Sequence, residues 1–139
     1  MSLTGKQFIG FESAAEGSDS FQAINPVTGT NLGPEFREAT NKEIDRAVKK
    51  AKSAFLAYRN KSPEQRATFL DAIGDQIMAL GDDLIQRAGE ETGLPEGRLQ
   101  GERGRTVNQL KLFAQVVRDG SWVEARIDTA NPDRKPFPK

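Results

Sequence analysis

The chemistry open to this chain is restricted first by two missing residue types, because its 139 residues include no Cys and no His. That excludes from this sequence a thiol nucleophile, an imidazole base, a thiolate or imidazole zinc site, a haem axial His and a disulfide framework. Carboxylates, amines, hydroxyls and backbone groups remain. Gly101-Glu102-Arg103-Gly104-Arg105 has the look of a phosphate cradle. A dinucleotide site, however, needs its glycines in the turn between a strand and a helix, and these fall inside a helical pattern, so helix packing is the reading that stands. Asp82-Asp83 and Glu90-Glu91 could be paired for acid–base work. Acids near a helix start favour its dipole, and solvated charge accounts for the others. Arg103, Arg105, Arg118, Arg126 and Arg134 could line an anion site, but they are dispersed among 20 acidic residues balanced by 20 basic ones and are expected to form surface or interface ion pairs. Trp122 and Phe113 are expected as core anchors, with a subunit contact as the alternative. No catalytic, cofactor-binding or metal-binding residue is assigned.

The elements that would position these groups fall into three stretches, 1–39, 40–120 and 121–139. In the first, Phe8-Ile9-Gly10-Phe11 and Ser20-Phe21-Gln22-Ala23-Ile24 read as strands flanking a small polar loop from Ser13 to Asp19. Asn25-Pro26-Val27-Thr28-Gly29 reads as a turn, since Pro fixes φ and Gly admits positive φ. The expectation is a β-hairpin followed by a short third strand near Asn31-Leu32-Gly33, resting on something else because two strands alone are marginal in water.

The second stretch has the period of helices. Thr40 and Glu43 make a capping box, after which Ile44, Ala47, Val48, Ala51, Ala54, Phe55 and Tyr58 recur on one face. A second helix opens at Ser62-Pro63-Glu64-Gln65, carries Ala67, Leu70, Ile73, Ile77 and Leu80, and stops at Gly81. A third runs from Asp82 to Thr92 with Leu84, Ile85 and Ala88 inward, capped by Gly93 and ended by Pro95. The fourth runs from about Pro95 to Asp119 with Leu99, Val107, Leu110, Phe113, Ala114 and Val117 on one side, capped by Gly120. Gly101 and Gly104 each cost roughly 1 kcal/mol against Ala in a helix interior, which predicts close approach of another backbone. In the last stretch Trp122 to Asp128 alternates apolar and polar residues as a half-buried strand does, and Asn131 to Lys139 is Pro-rich and basic and therefore extended. A strand without a sequence-adjacent partner is an exposed edge, so the expectation is the N-terminal piece of a longer protein.

Charge and hydropathy narrow the class. The formal net charge is +0 and the mean hydropathy −0.62, which argues against nucleic-acid or membrane-surface binding driven by a basic field. No apolar run approaches the roughly 20 residues of a membrane span, and Met1 to Lys6 lacks the apolar core of a secretory signal. A cytoplasmic, soluble protein is expected.

Several motifs in this order resemble the opening of the NAD(P)-dependent aldehyde dehydrogenases. They are Asn25-Pro26-Val27-Thr28-Gly29, Ala51-x-x-Ala54-Phe55-x-x-Tyr58, Ser62-Pro63-x-x-Arg66-Ala67-x-x-Leu70 and Glu91-Thr92-Gly93-Leu94-Pro95. Tyr58 stands where members of that family usually have Trp. Gly101-Glu102-x-x-Arg105-Thr106-x-x-Gln109-Leu110-x-x-Phe113-Ala114, Gly120-Ser121-Trp122, Ile127-Asp128 and Pro132-Asp133-Arg134-Lys135-Pro136-x-Pro138 resemble the branch with the 2,5-dioxovalerate (α-ketoglutarate semialdehyde) and related fatty-aldehyde dehydrogenases. The resemblance implies an α/β parent with a Rossmann-type cofactor domain, a catalytic domain and an oligomerisation arm. Within it, this segment is mainly α-helical, with an N-terminal β-hairpin and a C-terminal strand arm.

The implied activity is oxidation of 2,5-dioxopentanoate to 2-oxoglutarate with NADP or NAD. It proceeds by Cys thiolate attack, hydride transfer and hydrolysis of the thioester by a Glu base, with the oxyanion held by an Asn side chain and a backbone N–H. None of those residues is carried over to this sequence. The resemblance further implies a backbone oxygen near Glu91-Thr92-Gly93 for a structural monovalent cation, and self-association as a homodimer or homotetramer through Trp122 to Asp128. The competing reading is a free-standing helical interaction domain without catalytic activity.

Overall fold

The computed structural model describes residues 3–124. Four short strands come first: β1 (Gln7–Ile9), β2 (Glu12–Ala14), β3 (Ser20–Ile24) and β4 (Asn31–Arg37). Four helices follow, α1 (Asn41–Tyr58), α2 (Pro63–Ala79), α3 (Gly81–Thr92) and α4 (Glu96–Asp119), and then a 3-10 turn at Ser121–Val123. Among the described residues the chain is thus mainly helical with strands at its N-terminal end, as the resemblance implies.

The strands pair differently from the expectation. Two separate antiparallel ribbons form, β1 with β2 and β3 with β4, in place of one hairpin joining Phe8–Phe11 to Ser20–Ile24. The reason is local. Gly10, at φ 67°, takes the first of two turn positions between Ile9 and Glu12, the place where a tight hairpin needs positive φ. The run Phe8 to Phe11 is therefore a strand end and a turn, and its partner is Glu12–Ala14. The second ribbon closes at the expected Asn25 turn. Asn25 Oδ1 accepts from Val27 N at 2.9 Å and Thr28 N at 3.2 Å, and the Asn25 backbone O accepts from Gly29 N at 2.8 Å. β4 runs on to Arg37, well past Gly33, with Pro34 inside the stretch where the ladder shifts register between Phe21–Phe36 and Ala23–Leu32. A residue without an N–H is tolerated where no ladder bond is needed.

The helices form where their caps say. Thr40 and Ser62 each complete a reciprocal capping box, with Glu43 and Gln65 respectively, and Pro63 sits in the first turn of α2. Gly93 and Gly120 close α3 and α4 in the left-handed conformation. The packed centre is the α2–α4 pair with α3 alongside, and its buried apolar residues include Ala67, Ile85, Leu99, Val107 and Ala114. Gly74 on α2 faces Val107 on α4, where an added Cβ would lie 3.4 Å from Val107 Cγ1.

Three further expectations are corrected. Gly101 and Gly104 have nothing within 4 Å of an added Cβ among the described residues, so the expected close backbone approach is not found there. Phe113 and Trp122 are no core anchors, being 53% and 56% exposed. Trp122 and Val123 belong to the 3-10 turn that follows the Gly120 cap, and the remainder of the expected strand, to Asp128, lies outside the described residues. The apolar stripe of α1 forms but is not buried here, with Ile44, Val48, Phe55 and Tyr58 all exposed. Its main neighbour is β1.

Candidate functional site

The described arginines singled out for chemistry are engaged by separate partners. Arg103 NH1 donates to Gly81 O at 2.7 Å, tying α4 to the start of α3. Arg105 and Arg98 share Glu102, at 3.0 and 2.7 Å. Arg118 forks onto Glu64, with Nε and NH2 both at 3.0 Å from its oxygens, and reaches Asp71 Oδ2 at 2.8 Å. These guanidiniums therefore brace helices and converge on no common anion. Arg126 and Arg134 lie outside the described residues. Gly101 and Gly104 sit inside α4, where the backbone N–H groups serve the helix and cannot cradle a phosphate.

Of the acidic pairs, Asp82 and Asp83 stand in the first turn of α3, where the dipole favours them. Glu91 Oε1 accepts from Arg87 Nε at 2.6 Å, and Arg87 NH1 donates across to Gly33 O at 2.5 Å. Gln86 Nε2 donates to Glu90 Oε1 at 3.4 Å. Among the described residues no group of three or more His, Cys, Asp or Glu could hold a metal ion.

Three places carry more structure than a surface needs. The first is the junction between the Asn25 turn and the end of α3. An added Cβ on Gly93 would meet Pro26 Cγ and Val27 Cγ2 at 3.3 Å, so the Asn25-Pro26-Val27-Thr28-Gly29 and Glu91-Thr92-Gly93 motifs, 62 or more residues apart in sequence, are packed on each other. Thr92 Oγ1 donates to Ala88 O at 2.6 Å and accepts from Leu94 N at 3.2 Å, which fixes the chain at that corner. The second is an open apolar groove of about 620 Å³ along α2 and α4, lined by Leu70, Thr106, Leu110, Phe113 and Val117 with Arg105 and Gln109 at its polar edge.

The third is Glu43, 0% exposed. Its Oε2 accepts from Thr40 N at 2.8 Å and Thr40 Oγ1 at 2.9 Å, and its Oε1 accepts from Glu16 N at 3.0 Å. The N–H groups of Thr40 and Glu16 hold its carboxyl below the usual carboxylate range. Sequence reasoning found Glu43 as a capping residue and missed its second oxygen, because nothing in the spacing between positions 16 and 43 signals a contact.

The paired motifs at the α3 corner and the braced helix pair bring together no catalytic constellation among the described residues, and comparison with known proteins gives the family. The family model for the aldehyde dehydrogenase family matches residues 12–136. The chain belongs to the aldehyde dehydrogenase family. It is 51% identical over 140 residues to the alpha-ketoglutaric semialdehyde dehydrogenase 2 of Azospirillum brasilense, covering 100% of this chain and 27% of that protein. It is 47% identical over 135 residues to the alpha-ketoglutaric semialdehyde dehydrogenase of Acinetobacter baylyi, covering 97% of this chain and 26% of that protein. A more distant relative, the N-succinylglutamate 5-semialdehyde dehydrogenase of Pseudomonas fluorescens, is 30% identical over 112 residues, 81% of this chain and 23% of that protein. The chain thus spans about a quarter of the length of the curated relatives it matches. No helix among the described residues is long and apolar enough to cross a membrane.

Proposed function

We propose that this chain is the N-terminal scaffold of an NAD(P)-dependent dehydrogenase that oxidises 2,5-dioxopentanoate, the semialdehyde of α-ketoglutarate, to 2-oxoglutarate in the cytoplasm. The observation that carries the reading is the identity of 51% and 47%, across 100% and 97% of this chain, to two proteins named for that semialdehyde, against 30% for a relative named for a different one. In this reading 1–39 supplies the strand ribbons, 40–120 packs on the cofactor domain, and 121–139 begins the oligomerisation arm. The described residues do not fit a dinucleotide, since their paired glycines are in the interior of a helix, so the cofactor belongs elsewhere in the protein. The sequence has no Cys, so the thiolate of the family's chemistry also comes from outside these residues. What this chain contributes is rigidity: the α2–α4 pair and the α3 corner hold their neighbours in place.

The test is expression of the complete open reading frame that contains this sequence, followed by steady-state assay with 2,5-dioxopentanoate, N-succinylglutamate 5-semialdehyde and a simple aliphatic aldehyde, each with NAD and NADP. The highest kcat/KM is expected with 2,5-dioxopentanoate. Preference for either of the other two aldehydes with both cofactors would overturn the substrate assignment.

Self-association through Trp122 to Asp128, as a homodimer or homotetramer, belongs to the same proposal and has its own check. Proline lacks an N–H and does not sit inside a paired ladder, so Ala125→Pro is expected to lower the sedimenting mass of the complete protein at micromolar concentration. An unaltered oligomer would remove the arm from the interface.

A further inference from the structure

The β1–β2 hairpin is the least self-sufficient element of the described fold. Each strand has three residues, it shares no ladder with β3–β4, and an isolated two-stranded hairpin is marginal in water. Ile9 and Ala14 are buried, but Phe8 and Phe11 are exposed, so its apolar anchorage is small.

Against it lies α1, and three side chains on one face of that helix, at positions 43, 46 and 50, all reach across. Glu43 Oε1 accepts from Glu16 N at 3.0 Å, Arg46 NH1 pairs with Glu16 Oε1 at 2.9 Å, and Lys50 Nζ pairs with Glu12 Oε1 at 2.9 Å and donates to Ile9 O at 3.2 Å. Spacings of three and four residues put such groups on one stripe of a helix. The leading end of the hairpin has a different attachment, since Gly5 O accepts from Arg37 N at 3.0 Å. Gly5 is clamped there: an added Cβ would lie 1.8 Å from Glu35 O.

We propose that residues 7–16 form a strap, anchored at Gly5 beside β4 and latched to α1 through Glu43, Arg46 and Lys50, that opens as a unit when the Glu43 carboxylate takes a proton.

Glu43 is the centre of the latch because one carboxylate does two jobs. A capping-box glutamate needs one oxygen for the N-cap N–H. Here the other oxygen receives the N–H of Glu16, and burial leaves no water to replace either bond. A protonated carboxyl presents an O–H to a cluster of donors and loses acceptor capacity. The charged groups facing it are Arg46 on its own helix and Glu16 on the loop, already paired with each other; one turn further along, Lys50 faces Glu12 of β2. The sign follows from the depressed carboxyl of the latched state. Latching is complete at neutral pH, above the carboxylate's unfolded pKa, and is lost as pH falls through its lower value in the latched state.

The experiment is hydrogen exchange with peptide resolution on the complete gene product, comparing residues 7–16 with residues 63–119. Glu43→Gln at neutral pH, which keeps the shape and places an amide donor among donors, is expected to speed exchange in 7–16 by about tenfold while 63–119 stays within about twofold of wild type. Unchanged exchange in 7–16 would overturn the proposal, as would an equal rise in both regions. If Glu43→Gln does not fold, wild type is measured from neutral pH to well below the ordinary glutamate pKa of about 4.3, with rates corrected for intrinsic exchange. Loss of protection in 7–16 ahead of 63–119 supports the strap, and parallel loss overturns it. Lys50→Met, which removes the ties to Glu12 and Ile9 but keeps the aliphatic stem, is expected to speed exchange in 7–16 at neutral pH without altering 63–119; no change there counts against the latch.

Discussion

At the scale of single residues, stability in this segment rests on contacts of two kinds, and they differ in their response to pH. Arg118 in the last turn of α4 and Glu64 in the first turn of α2 each sit at the helix end their charge favours, and a fork of hydrogen bonds joins them. The Arg118 guanidinium holds the Glu64 carboxyl below its usual range. A group of that kind stabilises the fold above its unfolded pKa and ceases to do so as pH falls through the folded one. Glu64→Gln is therefore expected to lower Tm at neutral pH, with the difference from wild type closing in acid; thermal melts at both ends of that range check it. The second kind is steric and insensitive to pH. Ala67 is 0% exposed where α2 meets α4. Inserting three carbons there forces the helices apart, and Ala67→Leu is expected to cost about 1–3 kcal/mol in denaturant unfolding at either pH. That is a larger effect than the exposed ion pair can deliver.

At the scale of elements, the helices were legible because their signals are local. Thr40 with Glu43, Ser62 with Gln65, Gly93 and Gly120 are caps that act within four residues, and each lies where the helix it bounds begins or ends. Strand pairing was less legible. Gly10 in Phe8-Ile9-Gly10-Phe11 can be read as a strand glycine or a turn glycine, and only its positive φ settles which. Burial was least legible, because the 3.6-residue period says which residues share a face and nothing of what covers it; the α1 stripe is regular and exposed. The site was hidden for the same reason, as Glu16 and Glu43 meet only through the tertiary fold. Gly101 and Gly104 give this a test. With open space at both, Gly→Ala at each is expected to stabilise the 139-residue chain by up to roughly 1 kcal/mol through helix propensity. If the complete protein packs another backbone there, the same substitutions will lower its Tm. Destabilisation of the isolated chain would mean that the faces near these glycines are not open.

At the scale of the whole molecule, exposed apolar surface is the dominant feature. Ile44, Val48, Phe55 and Leu56 on α1 and Leu112, Phe113 and Val116 on α4 are all exposed, with Trp122 beyond them. Soluble monomers rarely carry contiguous apolar patches beyond a few hundred Å², and larger ones mark contacts with other protein. A free-standing helical domain would have to leave these faces in water. In the proposed reading, the rest of the enzyme would lie against them, since the relatives are about four times as long as this chain. The two situations separate on isolating the 139-residue chain. Without a Cys it is expected to reduce neither NAD nor NADP in the presence of 2,5-dioxopentanoate, and activity above a denatured control would refute that. It is also expected to be helical by circular dichroism, to bind an apolar dye strongly and to sediment above monomer mass at micromolar concentration, while the complete protein binds the dye weakly. A dye-silent, strictly monomeric isolated chain would show that these faces cover one another, and the scaffold reading would then lose its physical basis even with the family membership intact.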